Sequence, residues 1–414
     1  MISDARGLRI QDYDYDLPDE RIARHPLPER DGSRLLHYRE GQITHGRFRD
    51  IPALIPAGSL LIGNQTRVIH ARLLFTLPDG RPLEIFCLEP LDPVDYALSL
   101  SSPGPVVWKC LVGGNRRWKS GEISLRIDFP GQPLTLHATR GRRRDNAFEI
   151  TFQWNAPRRM SFGEVIDAAG TIPLPPYLNR AAESADRHRY QTVFARQEGS
   201  VAAPTAGLHF TPEVIDRLRE RGVNWEALTL HVGAGTFKPV TSPTLGDHVM
   251  HREYFSVSLP LLHQLREQLG AGKPIVSIGT TSMRCLESLF YFGATTLEEG
   301  EPGEELDQWV ASRDRFTRTD AGPAISALIH WMEERRDSAF SRYTQLLLTP
   351  AARPRLVDGL ITNFHQPRST LLLLVAAMVG DDWRRVYDYA LANDFRFLSY
   401  GDSSLLWRNR TGTE

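Results

Sequence analysis

Four apolar, strand-like segments run straight into polar turns, and nothing else in the chain restricts its fold as strongly. Ala227-Leu228-Thr229-Leu230-His231-Val232 leads into Gly233-Ala234-Gly235-Thr236-Phe237, and Ile275-Val276-Ser277-Ile278 leads into Gly279-Thr280-Thr281-Ser282. Leu360-Ile361-Thr362-Asn363-Phe364-His365 passes through Pro367 to Ser369, and Phe395-Arg396-Phe397-Leu398-Ser399-Tyr400 ends at Gly401-Asp402-Ser403-Ser404. Helical patterns lie between them. Thr211 can cap a helix with Pro212 at its first position, an inward stripe of Val214, Ile215 and Leu218, and Gly222 at its end. A second helix is expected from Thr370 to Val379, stopped by Gly380. Strands alternating with helices build a mainly parallel sheet, whose ligands collect outside the carboxyl ends of the strands. Gly, Ser and Asn are also plain turn formers and caps. Recurrence at four strand ends, two of them carrying histidines, is what points to a site.

The texture changes along the chain. Residues 1–71 hold two short strands, Leu60-Leu61-Ile62 and Val68-Ile69. Residues 72–156 are β-prone segments separated by Gly, Pro and Asp: Leu83 to Leu88, Val106 to Val112, Ile123 to Ile127 and Phe148 to Phe152. Close spacing without helical period suggests a small barrel or sandwich. The expected fold is therefore α/β: a larger α/β domain, residues 1–71 and 157–414, with an inserted small all-β barrel domain, residues 72–156. The acidic stretch from Glu298 to Asp307 reads as a solvated loop, and Ile325, Leu328, Ile329 and Met332 mark one face of a core-packing helix.

Composition excludes more than it identifies. The 414 residues are 41% apolar and 24% charged, ordinary globular usage. The longest apolar run, Leu371 to Val379, is too short to span a bilayer, and the polar start of the chain is no signal peptide. Cys87, Cys110 and Cys285 lack metal or redox spacing, which fits a reduced cytosolic setting. A net charge of −1 gives no support to a nucleic-acid partner, so any RNA contact must come from a local patch. Gly233-Ala234-Gly235 starts like a dinucleotide loop, but the third glycine position holds Lys238. No P-loop is present, and no glutamate completes His248 and His251 as a zincin pair.

The turns in full resemble the signature of the S-adenosylmethionine:tRNA ribosyltransferase-isomerase family of queuosine biosynthesis. The resemblance is carried by Val201 to Thr211, Thr229 to Phe237, Gly279 to Ser282, Ile361 to His365 and Ser399 to Asp402. Tyr15 to Pro18, Arg30 to Leu36, Thr66 to Ile69 and Ile172 to Tyr177 add to it, in the same order across nearly the whole chain. It implies an α/β domain with an inserted β-barrel. It implies an enzyme that transfers and isomerises the ribosyl part of S-adenosylmethionine onto 7-aminomethyl-7-deazaguanine at the tRNA wobble position. Epoxyqueuosine, adenine and methionine would be the products. S-adenosylmethionine is then a co-substrate, no metal is expected, and the partner is the anticodon stem-loop of a cytoplasmic tRNA, with no obligate protein partner or membrane indicated. Two segments depart from the family pattern: Asn64-Gln65-Thr66-Arg67 where Asn-Asp-Thr-Arg is usual, and Pro350-Ala351-Ala352 where Pro-Gly-Tyr is usual.

Such chemistry needs a base beside the sulfonium, an acid or hydrogen bond for departing adenine, and a dry pocket. Histidine titrates near neutrality and suits proton transfer. The candidates are His209, His231 and His365, with Asp402 as the carboxylate nearest to them in the turns. Expected donor contacts are Thr205, Gly207, Phe210, Gly233, Gly235, Phe237, Thr280, Thr281, Ser282, Asn363 and Tyr400. Of these, the 280–282 hydroxyls lie where a strand meets a helix N-terminus and suit a carboxylate. Phe210, Phe237 and Tyr400 could stack on adenine or face the sulfonium, or be core aromatics. Asn64, Gln65, Thr66 and Arg67 form a further candidate segment. For RNA, Arg116, Arg117 and Lys119 join Arg142, Arg143 and Arg144, which Gly141, Asp145 and Asn146 place in a turn. A small-molecule methyltransferase and a non-catalytic RNA-binding protein remain open as rival classes.

Overall fold

A computed structural model describes residues 5–128, 133–156, 158–233 and 240–409. A ten-stranded sheet forms the larger layer, in the order Glu305–Leu306, Ala339–Thr344, Glu253–Ser258, Asn224–Leu230, Leu60–Asn64, Ile275–Ile278, Gly359–Asn363, Ser403–Trp407, Arg34–Arg39, Gln42–Arg47. Its centre is parallel: Asn224–Leu230, Leu60–Asn64, Ile275–Ile278 and Gly359–Asn363 run the same way. The central three of these four are buried at every residue, as a parallel sheet covered on both faces requires. The Thr280–Glu299 and Thr370–Val379 helices pack into the main core beside this sheet. The Pro212–Glu220 helix packs into a separate core with Leu61, Val276 and Ile361. Its start is as the sequence indicates: Thr211 accepts from the Val214 amide, and Gly222 follows with φ +73°.

Six further strands form an antiparallel sheet in the order Arg72–Thr76, Pro82–Asp92, Val106–Val112, Ala147–Asn155, Leu134–Arg144, Glu122–Ile127. The two edge strands approach each other, so the sheet curls into a nearly closed barrel around Phe75, Leu83, Trp108, Leu136 and Phe152. Strict in–out alternation in Val106–Val112 is the mark of such a strand.

Two sequence expectations need correction. Phe395 to Tyr400 is not a strand. Asp402 holds the Arg34 and Arg396 amides at 2.8 Å each, and its own amide donates to the Arg396 carbonyl, so this segment folds into a turn. Phe395 and Phe397 are buried all the same, which is why their spacing imitates a strand. The strand comes afterwards, at Ser403–Trp407, antiparallel to Gly359–Asn363. Secondly, Arg142, Arg143 and Arg144 end the Leu134–Arg144 strand. Only Asp145 and Asn146 form the turn, with Asp145 at φ +56°, because Arg144 already pairs with Ala147.

Candidate active site

The carboxyl ends of the four central parallel strands share one edge of the sheet, and a cleft opens there. Its walls come from Thr205 and Ala206, Val232, Gly279 to Thr281, Thr362 to Gln366, and Ser399. Gly279 turns from strand to helix at φ +91° and ψ 151°, a conformation that a side chain would strain. Gly279 at the N-cap offers no side chain to the start of the Thr280–Glu299 helix, whose first amides, like those of any helix, have no intrahelical acceptors. Two buried polar atoms of cleft residues lack partners among the described residues: Thr281 Oγ1 and Asn363 Oδ1. Ser282 Oγ, one residue along, lacks one too.

Of the three histidines, only His365 lines this cleft. Its Nε2 is 2.9 Å from Thr362 Oγ1, its amide donates to the Tyr387 hydroxyl at 3.0 Å, and its carbonyl accepts from Tyr15. Burial pushes its imidazole down to about 3. His209 sits behind the Asn363 wall, with Nδ1 2.8 Å from Ser33 Oγ and Nε2 3.1 Å from Asn363 Nδ2. Burial, reinforced by Arg396, also lowers it to about 3, and it borders a smaller depression with Arg30, Arg189, Arg396 and Tyr400. His231 stacks on Tyr96 of the short Tyr96–Ser101 helix at 3.9 Å and 3°, and its Nδ1 is 3.1 Å from the Gly199 carbonyl. Burial takes it to about 4. Asp402 is 2% exposed, and its carboxylate serves the two amides already named.

The other expected contacts divide. Thr205, Thr280, Thr281 and Asn363 line the cleft. Phe210 does not stack on a ligand: it is fully buried against Phe48 and Trp225, because its ring points to the opposite core. Gly207 is required by packing, since a Cβ there would lie 2.7 Å from Phe194 and Thr192 atoms. Tyr400 donates to Asp186 at 2.7 Å and borders the smaller depression. Gly233 follows the cleft residue Val232, whereas Gly235 and Phe237 lie outside the described residues. Asn64 and Thr66 are buried fasteners, bonding the Leu230 backbone at 2.9 Å and 3.2 Å.

Sequence reasoning missed a buried ionic cluster. Arg284 Nη1 lies 2.6 Å from Glu253 Oε2, and His251 Nε2 lies 3.1 Å from Glu253 Oε1. Burial opposes a charged Glu253, yet Arg284 and His251 outweigh it and hold the carboxyl at about 2. One turn along the same helix, Glu287 accepts the amides of Arg355, Leu356 and Val357 at 2.6, 3.0 and 2.9 Å. The available signal was an arginine and a glutamate at helical spacing within the apolar run Met283 to Ala294, in a helix that the fold buries from Thr280 to Thr296.

On the six-stranded sheet, Arg116, Lys119, Arg140 and Arg143 gather round one concavity. Arg144 is paired with Glu149 at 2.6 Å, and Arg117 is near Asp79. Arg142 is exposed and is not among the residues lining this concavity.

The family model for queuosine biosynthesis proteins matches residues 10–406. This chain belongs to that family. S-adenosylmethionine:tRNA ribosyltransferase-isomerase of Halothermothrix orenii is 36% identical over 96% of this chain and 100% of its own. The protein of the same name from Xanthomonas oryzae is 38% identical over 98% of each. That from Desulfitobacterium hafniense is 34% identical over 96% and 100%. Both departures from the family pattern sit in ordered backbone. Gln65 donates to Thr229 Oγ1 at 3.2 Å, while its carbonyl accepts the Arg196 and Gln197 amides. Ala352 is 7% exposed and turns back to the Thr349 carbonyl at 2.9 Å.

Proposed function

We infer that this chain is an enzyme that transfers and isomerises the ribosyl part of S-adenosylmethionine onto tRNA in queuosine biosynthesis, the reaction for which its relatives are named. The acceptor is 7-aminomethyl-7-deazaguanine at the wobble position, presented on the anticodon stem-loop of a cytosolic tRNA. Epoxyqueuosine forms, and adenine and methionine leave. The observation that carries the reading is the uncapped Thr280–Glu299 helix start beside the unpartnered Thr281 Oγ1 and Asn363 Oδ1. Free amides and a hydroxyl there suit the donor's carboxylate. The Asn363 oxygen suits an N–H of its ammonium or of adenine.

His365 is the proton-transfer group of this reading, because it alone of the three histidines stands on the cleft wall. At a lowered pKa it is neutral at working pH and offers a lone pair to a proton on the ribosyl carbon beside the sulfonium. His209 acts through Asn363, whose amide it orients, and Asp402 through the turn it fastens. Residues 72–156 work as an inserted unit whose basic end meets the RNA.

The test is to incubate the protein with S-adenosylmethionine and tRNA carrying the aminomethyl base and to separate products by chromatography. Adenine and methionine should appear together, and only with that base. S-adenosylhomocysteine and methylated product would instead make this a methyltransferase. RNA binding without turnover would make it a binding protein.

A further inference from the structure

We propose that Arg116, Lys119 and Arg143 form a phosphate site that grips the RNA backbone away from the nucleotide being modified, with Arg140 as its strut. This rests on the tRNA reading above. Arg116 and Lys119 follow the Val106–Val112 strand, whereas Arg140 and Arg143 belong to Leu134–Arg144. Three positions apart on a regular strand, Arg140 and Arg143 would face opposite ways. They do not, because the register slips: Arg140 is opposite Ile150 and Arg143 is opposite Phe148, three steps on one strand against two on the other. A bulge of this kind re-aims a side chain. It turns Arg143 into the same concavity as Arg140, Asn115, Arg116, Lys119 and Phe148.

Arg140 is already occupied. Its guanidinium lies over the Phe148 ring at 3.8 Å and donates to the carbonyls of Asn115, at 2.9 Å, and Trp118. It thereby pins the turn that carries Arg116 and Lys119. Those two and Arg143 are exposed, and none has a carboxylate partner among the described residues. No acidic residue lines the concavity. Burial and the neighbouring Arg143 charge both lower Arg140 from its ordinary value, as crowded like charges do. The concavity is open, which suits a polymer backbone passing through more than a small enclosed anion. Within the arginine run the roles separate: Arg144 is neutralised by Glu149, and Arg143 is the member that borders the concavity.

Its position sets what the contact can do. Tyr96 stacks on His231 next to the cleft and meets Trp108 edge-on at 5.9 Å. From Trp108 the strand runs four residues to Val112 before the basic turn, about 13 Å at strand rise. That span exceeds one nucleotide, so the phosphate held here is not that of the reacting nucleotide, and losing it should weaken RNA binding without slowing chemistry.

The experiment is tRNA affinity by fluorescence anisotropy across a salt series, with adenine-release kinetics in parallel. Each phosphate contact contributes about 0.7–0.9 to the log–log salt slope. Arg116→Ala with Arg143→Ala should therefore flatten it by about 1.4–1.8. KM for tRNA should rise while kcat and the KM for S-adenosylmethionine hold. Arg143→Lys keeps the charge and should keep the slope, and Arg144→Ala should leave it unchanged. Thermal melts establish that each variant is folded. If wild type releases no adenine, the tRNA reading itself fails. If wild type is active and the folded double variant keeps its slope, this site alone is refuted. An equal loss in Arg144→Ala would also overturn it, because a diffuse basic field would then be acting.

Discussion

Replacing Glu253 by Gln should cost the fold about 3 kcal/mol at neutral pH. Glu253 is 1% exposed, with Arg284 at 2.6 Å and His251 at 3.1 Å. Burial alone would raise its carboxyl group, but Arg284 and His251 bring it from 4.5 to about 2. At about 1.4 kcal/mol per unit, that difference is worth about 3 kcal/mol. Breaking a buried pair independently predicts about 3–5 kcal/mol, since Arg284, 3% exposed, is left without a counter-charge. The folded value is the lower one, so the contribution is complete above the unfolded value of 4.5 and fades as pH falls toward 2. At about pH 3 it should be less than half its neutral size. Urea unfolding of wild type and Glu253→Gln at pH 7 and pH 3, at matched salt, measures both. The double replacement Glu253→Leu with Arg284→Met should recover most of the loss, because an apolar pair needs no counter-charge. A deficit below about 1 kcal/mol at pH 7, or one equal at both pH values, would refute the reasoning.

Three further outcomes are expected. His365→Gln should lower kcat for adenine release by ~10²–10⁴-fold with the KM for tRNA unchanged, and turnover within threefold of wild type would make His365 structural. His209 and His365 are neutral in the fold at about 3 and take up protons on unfolding, so stability should fall as pH drops from about 6.5 toward 3. A His209→Gln, His365→Gln double variant should show a shallower fall; an identical acid-unfolding curve would count against buried neutral imidazoles. Gly207→Ala should cost about 1–3 kcal/mol through contact with Phe194 and Thr192, and Phe194→Leu should relieve it; a melt unchanged from wild type would contradict that packing.

Period and punctuation in the sequence carried the α/β half of the fold well. The Thr211 cap, the Thr370–Val379 helix and the Ile275–Ile278 strand all follow from residues that act locally. Phe395 to Tyr400 was illegible for a physical reason. Burial of alternate residues makes a strand pattern, but where backbone amides go is decided by Asp402, which binds Arg34 some 368 positions away. The arginine run failed in the same way. Gly141 suggested a turn, yet cross-strand register with Ala147–Asn155 keeps those residues extended and adds a bulge that local residue choice does not reveal.

The candidate site shows where such legibility stops. Strand-end turns identified the cleft, because parallel strands must deliver their carboxyl ends to one edge. They could not rank the residues within it, since rank depends on depth. His209, His231 and His365 look alike in the sequence, each at or beside a polar turn. In the fold one faces the cleft, one braces Asn363 from behind, and one closes a seam against Tyr96. All three are held neutral by burial, so what separates them is access, not basicity. Access belongs to the packed tertiary structure, as do the bulge that aims Arg143 and the three-way contact that keeps Glu253 ionised. A sequence can therefore name the chemistry available at this edge, but which imidazole reaches the reacting atoms is set by the layers folded behind it.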